Sequence, residues 1–405
     1  MSRAADPTRR ARVVGLDVAR CLALLGMIAT HVIPAYTPDG ADLSWSAELA
    51  GGRASALFAV LAGVTLTLGA GGTRPVHGRA WAGVSAGVVV RALLIGVLGM
   101  ALAELDAGIA IILTYYGLLF CLGIPFLALR ARALLGLAAG WLVLSPVLSH
   151  LVRPELPPRG FESPAFAHLA DPGRLLADLT FTGYYPVVPW LTYLLVGMAL
   201  GRLDLRRVTT AARIAAAGLV LAVAAPLVSR WLRDRPAIGG PLRDSLEAQH
   251  GVGLRDSVID LTLARGAYGT TPTDTWAWLA VASPHTATPF DLARTLGSSL
   301  LIIGLCLLAA RVAPRLWSIA FGAGAMTLTL YSLHVVLRTE GRLDGDDLTT
   351  YLQHVAVVVA IGALLALVRR RGPLEAVVAG SARTVRRAVD PHEFRSRPRE
   401  VSRSR

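Results

Sequence analysis

The sequence predicts an all-α integral membrane protein of about ten transmembrane helices, with both termini cytoplasmic. Three observations predict it. The 405 residues are 54% hydrophobic and only 17% charged, with a mean hydropathy of +0.55, well outside the range of a soluble chain of this length. The apolar residues are gathered into runs of bilayer-spanning length, about 17 to 25 residues. The arginines alternate between successive connections, as expected of loops that alternate between two sides of a membrane.

In order, the runs cover 13–32, 54–71, 81–102, 109–129, 133–150, 187–203, 211–231, 292–312, 317–337 and 351–368. The third holds Arg91, which leaves open an interfacial helix up to that residue followed by a short span. Arg3, Arg9, Arg10 and Arg12 precede the first run, and the even-numbered connections carry Arg74, Arg79, Arg130, Arg132, Arg202, Arg206, Arg207, Arg311 and Arg315. With the tail after Val368, one side collects 24 of the 40 basic residues, all of them arginine. The other side holds most of the acids, among them Asp39, Asp42, Glu48, Glu104, Asp106, Asp344, Asp346 and Asp347. The Arg-rich side is therefore expected to be cytoplasmic.

This divides the chain into a basic cytoplasmic N-terminus (1–12), a transmembrane domain (13–368) and a basic cytoplasmic tail (369–405) expected to lack fixed structure. The first run is read as a retained anchor, because no small-x-small cleavage site follows it. Outer loops 33–53, 151–186 and 232–291 are rich in Pro, Gly and polar residues, and loops of that length are functional or disordered. The net charge of +13 fits a tail near anionic lipid better than a nucleic-acid partner. Cys21, Cys121 and Cys306 all fall in apolar runs, so neither a disulfide framework nor a metal site is expected.

The first run carries Asp17, Arg20 and His31, which a purely structural membrane helix would avoid. At 100° per residue all three share one stripe about 21 Å long. Ionisable groups at membrane depth usually face a bundle interior or a watery cavity. His31, at the outer end, can serve as a general base near neutral pH, or simply bond a loop carbonyl at the headgroup boundary. The ninth run repeats the pattern with Thr327, Tyr331, His334 and Arg338 on one face. Two such stripes, each with a histidine near the outer face, point to a shared cavity. Arg20 and Arg91, toward the cytoplasmic half, suit the phosphates of a cytoplasmic ligand, with snorkelling the alternative for Arg91. Tyr115, Tyr116 and the stretch 183–190 with Trp190 are aromatics that also fit an interfacial belt. No nucleotide-binding glycine loop, metal-ligand spacing or nucleophile-elbow serine is present in the sequence.

These residues resemble a family. LDVARCLALLGMIATH (16–31) is similar to the first span of type-three acyltransferases, with an Asp, an Arg three residues later and a closing His. Over a longer stretch the chain resembles the heparan-alpha-glucosaminide N-acetyltransferase catalytic domain and YeiB-like bacterial membrane proteins. The likeness is carried by Asp17 with Arg20, Ser44-Trp45, Gly63, YYGLLF from Tyr115, YPVVPW with Gly201-Arg202, SPHTATPFD (283–291) and MTLTLYSLH from Met326. The resemblance implies transfer of an acyl group from cytoplasmic acetyl-CoA or another acyl-CoA to a sugar or lipid head group on the outer side of the plasma membrane. An envelope glycan or lipid-linked acceptor and membrane lipids would be the partners, with no nucleic acid, and a homodimer is left open. His31 and Asp17 would be catalytic; Arg20, Arg91, Tyr115 and Tyr116 would bind the donor; Asp42, Trp45, Trp190, His285, Tyr331 and His334 would serve the acceptor. The chain departs from the pattern. Cys21 replaces a usual Gly, Asp42 stands where the eukaryotic enzymes have their catalytic His, and His31 stands where they have Asn. The competing class is a transporter or flippase in which the same stripe is a substrate pathway.

Overall fold

The structure is a computed structural model that describes residues 12–160, 163–339, 343 and 345–390. Arg3, Arg9, Arg10, Asp344 and the tail beyond residue 390, all used in the orientation argument, lie outside the described residues. The described chain is helical, and its sole β-type pairing is the bridge between Tyr36 and Leu43.

The helices are α1 (Val14–Val32), α2 (Trp45–Ala50), α3 (Arg53–Gly69), α4 (Gly78–Ala103), α5 (Leu113–Gly123), α6 (Ala131–Val152), α7 (Pro172–Ala177) and α8 (Val187–Gly201). They continue as α9 (Val208–Arg233), α10 (Pro236–His250), α11 (Asp256–Arg265), α12 (Pro289–Ala309), α13 (Pro314–Ala320), α14 (Thr327–Leu337), α15 (Asp347–Leu367) and α16 (Pro373–Val389). Among the described residues, seven helices are long and apolar enough to cross a membrane: α1, α2 with α3, α4, α6, α9, α12 and α15. An eighth results if residues 172–182 and α8, bent by 54°, are one span, and two shorter apolar helices, Leu113–Ala128 and Thr327–Leu337, lie among them. The chain is therefore an all-α, multi-pass membrane protein.

The differences from a string of continuous helices have local causes. Pro125 turns the end of the fourth apolar run into a 3-10 helix, Ile124–Ala128. The ninth run is broken into α13, a 3-10 turn at Gly322–Ala325 and α14. The break is a close approach: a Cβ on Gly324 would overlap the carbonyl oxygen of Asp17, so only glycine lets this turn seat against α1. The third run, in contrast, is one helix straight through Arg91.

Two expectations are corrected. The loop 232–291 carries α10 and α11, which close with the 3-10 turn Trp276–Ala280 around a small core of Leu242, Leu246, Leu263, Trp278 and Val281. The tail expected to be unstructured from 369 onward forms α16, packed along α4. Proline at its first position, Glu375 in its first turn and Arg386 and Arg387 in its last match the helix dipole, a signal that net charge alone conceals.

Helices α3 and α8 cross at Gly63 and Gly197, where an added Cβ would overlap Leu194 and Val60 backbone oxygens respectively. Small residues at such crossings let apolar helices gain van der Waals contact that lipid does not supply. Helix α1 is antiparallel to α3 and lies against α12, the Gly322–Ala325 turn and α15. Three connections are bonded to one another: Ile111 N–H donates to Ser163 Oγ at 2.8 Å, and Arg153 Nη2 donates to Thr271 Oγ1 at 3.4 Å. Replacing Gly197 by leucine is expected to destabilise the purified protein by about 1–3 kcal/mol through overpacking, read as a lower melting temperature in detergent, whereas Gly136→Leu, where an added Cβ meets nothing within 4 Å, leaves melting unchanged.

Candidate functional site

Helix α1 satisfies its polar stripe differently at its two ends. Near Val14, buried Asp17 accepts from Arg20 Nη1 at 2.7 Å and from Arg12 Nε, and Arg20 Nη2 reaches Thr65 Oγ1 on α3 at 2.8 Å. A carboxylate taken out of water needs such partners, because an unpaired buried charge is costly. Near Val32, His31 Nδ1 and His334 Nε2 of α14 are 3.1 Å apart, their rings nearly parallel at 9°. One of these nitrogens carries the proton and the other accepts it. His354 of α15 stands edge-on to His334 at 4.9 Å between centroids. Its Nδ1 lies 2.9 Å from the Thr350 carbonyl, so Nδ1 is the protonated nitrogen of that ring.

Between these two ends lies a cavity of about 430 Å³, within the range of small-ligand sites. Five helices besides α1 wall it, α3, α4, α5, α14 and α16, together with the Gly322–Ala325 turn. Its charged lining is Arg20, Arg91, Glu375, Arg383 and Arg386, and its deeper lining includes Met27, Ile112, Tyr116 and Tyr331. Met27 is one turn, about 6 Å, before His31, and Tyr331 is three residues before His334. The cavity thus follows α1 from Arg20 and stops about a turn short of the histidine pair.

The residues singled out in the sequence fall into three groups. Arg20, Arg91, Tyr116 and Tyr331 line the cavity, with the Arg91 guanidinium 4.8 Å above the Phe120 ring. His31 and His334 meet one turn beyond it. Around them, His285 packs on Tyr184 at 4.9 Å and Tyr185 at 5.9 Å, and with Trp190 borders a water-sized void. His285 sits in the loop 283–288, where its backbone takes φ +54°, and Asp291 fixes that loop by accepting from the N–H groups of Thr286 and Ala287, each at 3.1 Å. Burial, followed by the charge of Arg294, lowers the His285 pKa to about 4, so this imidazole is neutral at pH 7.

Other expectations are redirected. Asp17, read as catalytic, lies about 21 Å along the helix from His31 and is occupied by two arginines. Tyr115, read as a donor-site residue, is not a cavity residue; its hydroxyl accepts from Tyr184 N–H at 3.2 Å and its ring stands edge-on to Tyr185. Asp42 is exposed, with its backbone bonded to Thr37, and Trp45 is half-exposed against Tyr351. Neither touches the histidine pair. Thr65, Arg12, His354 and the whole α16 wall were not legible as site residues, since each acts only through a partner far away in sequence. Among the described residues no three His, Cys, Asp or Glu side chains are placed to hold a metal ion.

Residues 12–230, more than half of the chain, match the family profile described as heparan-alpha-glucosaminide N-acetyltransferase, catalytic. The chain belongs to this family. Among curated proteins no sequence matches it significantly. The N-acetyltransferase match contains His31, Asp17, Arg20, Arg91 and Tyr116, and it ends before His285, His334 and α16. Half of the histidine pair and two walls of the cavity, α14 and α16, are therefore supplied by chain outside the matched segment.

Two outcomes are expected. Asp17→Asn lowers the melting temperature more than Arg12→Gln, because the Asp17 side chain is 7% exposed and the Arg12 side chain 49%. His285 has a folded pKa below its ordinary value, so its contribution to stability is present above about pH 6.5 and is lost as pH falls toward 4. Melting temperatures of the His285→Gln protein are expected to depend less on pH across that window than those of the unaltered protein.

Proposed function

We infer that this chain is a membrane-bound acyltransferase of the plasma membrane that moves an acetyl group from acyl-CoA to an acceptor on the opposite side. What supports this reading is the course of the cavity, from arginines at one end of α1 to within a turn of the His31–His334 pair at the other. Ten crossings, with the arginine-rich connections and both termini cytoplasmic, would put the Arg20 end in reach of a cytoplasmic donor and the His31 end in reach of an external sugar or lipid head group.

The proposed chemistry is direct transfer. An acceptor hydroxyl or amine attacks the thioester carbonyl while His31 takes its proton; the C–S bond breaks and the CoA thiolate leaves, recovering a proton from solvent or from His31. For His31 Nε2 to hold the lone pair, its Nδ1–H must donate to His334 Nε2, which makes His334 the residue that sets the tautomer of the base. The imidazolium formed during transfer keeps that hydrogen bond. Asp17 serves by holding Arg20 at the cavity wall rather than by exchanging protons. Asp42, on an exposed loop, stands where the eukaryotic enzymes that the chain resembles have their catalytic histidine, so in this reading the burden of base catalysis rests on His31.

Purified protein incubated with radiolabelled acetyl-CoA and membrane lipids is expected to release CoA and label a lipid-soluble product. His31→Ala should lose about 10²- to 10⁴-fold in rate while remaining folded, the usual worth of a positioned base. Full activity in a folded His31→Ala protein would remove His31 from the mechanism, and a protein that neither releases CoA nor labels a product would favour a transporter.

A further inference from the structure

Helix α16 lies outside the matched family segment, yet it forms a complete wall of the cavity. The residues it contributes are Glu375, Val378, Ala379, Ala382, Arg383 and Arg386. Their spacing of three and four places them on one helical face. That face is graded: a carboxylate at one end, three small or apolar side chains in the middle, and two guanidinium groups at the other end.

Each end is held in place. The Glu375 carboxylate accepts from Leu328 N–H at 2.7 Å, Thr329 N–H at 3.1 Å and Thr329 Oγ1 at 2.6 Å, so it is consumed by the first turn of α14. Arg386 Nη1 donates to the Gly69 carbonyl at the end of α3, 3.0 Å away, so α16 is tied to a second lining residue of the cavity. Helix α16 lies close against α4 at Gly83 and Gly87, where an added Cβ would stand 2.9 Å from Asp390 Cβ and 3.1 Å from the Ala382 carbonyl. Deeper in, Arg91 presents a buried Nε with no hydrogen-bond partner among the described residues. Arg20 is balanced by Asp17, and Glu375 by the N–H groups of α14. The cavity is lined by the guanidinium groups of Arg383 and Arg386 toward Gly69, by apolar side chains at its waist and by Arg91 partway along.

We propose that α16 is the phosphate-binding wall of the donor site, with Arg383 and Arg386 holding the phosphates of the CoA nucleotide while its linear thiol arm lies along Val378, Ala379 and Ala382. The proposal rests on the acyl-CoA reading of the cavity and adds residues that the family match does not include. Guanidinium groups suit phosphate because their planar donors bind two oxygens at once. The same chemistry would also take an anionic lipid head group, and the apolar waist would accept a lipid chain, so the test must separate the two sources.

The test is equilibrium binding to the purified full chain, unaltered and as the double variant Arg383→Gln/Arg386→Gln. Its ligands are acetyl-CoA, adenosine 3′,5′-bisphosphate, S-acetylpantetheine, and vesicles of phosphatidylglycerol or phosphatidylcholine. The expected result is that the double variant binds acetyl-CoA and the bisphosphate roughly 10- to 100-fold more weakly, the worth of one or two charged hydrogen bonds. S-acetylpantetheine, which lacks the nucleotide, should bind both proteins alike. If the unaltered protein binds acetyl-CoA and the double variant binds it equally well, the role of α16 is overturned and the acyltransferase reading stands. If only the preference for phosphatidylglycerol over phosphatidylcholine falls, the site belongs to lipid and the proposal is overturned. If the unaltered protein binds neither acetyl-CoA nor S-acetylpantetheine, the acyltransferase reading itself fails. Should the double variant not fold, the single variant Arg383→Gln, altered at an exposed side chain, carries the same comparison.

Discussion

A hydrocarbon environment offers no partner to a polar side chain, so the ionisable groups of α1 dictate what must surround it. Asp17 and Arg20 recruit Arg12 from the preceding residues and Thr65 from α3. His31 recruits His334 from α14, more than 300 residues away in sequence. These two sets of contacts set the positions of α3 and α14 along α1, and the cavity is the space left between them. The break before α14 follows from the same demand: Gly324 lets the Gly322–Ala325 turn approach the Asp17 carbonyl closely, and this sets how far out His334 stands.

The bundle separates two kinds of polar chemistry. One end of α1 collects permanent cations, and the other collects imidazoles, tyrosines and the neutral His285. Permanent cations suit binding of a phosphorylated donor, whereas neutral imidazoles suit accepting a proton. The cavity lies between these two ends, starting among the arginines and stopping about a turn short of the histidine pair. A reaction between substrates on opposite sides of a membrane needs that separation. The loops on the His31 side are tied to one another by arginines on backbone carbonyls, Arg153 to Thr271 and Arg159 to Tyr268, and by the packing of Tyr184 on Tyr268 and His285.

Much of this was legible in the sequence, for reasons that can be named. Membrane crossing shows as run length, and the stripes on α1 and α14 show as helical periodicity, because both are local properties. The meeting of His31 with His334 was foreshadowed by two matching stripes, although neither stripe identifies its partner. Contacts made across the bundle were not legible. Tyr115 and Tyr116 are adjacent and chemically alike, yet only Tyr116 lines the cavity, since neighbouring residues on a helix point about 100° apart. Helix α16 was hidden by its arginines, which resemble a solvated tail until Glu375 is seen to bond α14 and the small residues of α4 are seen to receive it.

The central claim is that the cavity between the arginines and the histidine pair holds an acyl-CoA whose acyl end reaches His31. The measurement that tests it most directly is an experimental density map of the full chain with a non-hydrolysable acetyl-CoA analogue. The account predicts one elongated density, with phosphates against Arg383 and Arg386, the thiol arm passing Arg91, and the acetyl end beyond Tyr331 within reach of His31. A ligand bound elsewhere, or a closed and dry contact between Arg20 and His31 with the analogue at saturation, would contradict it.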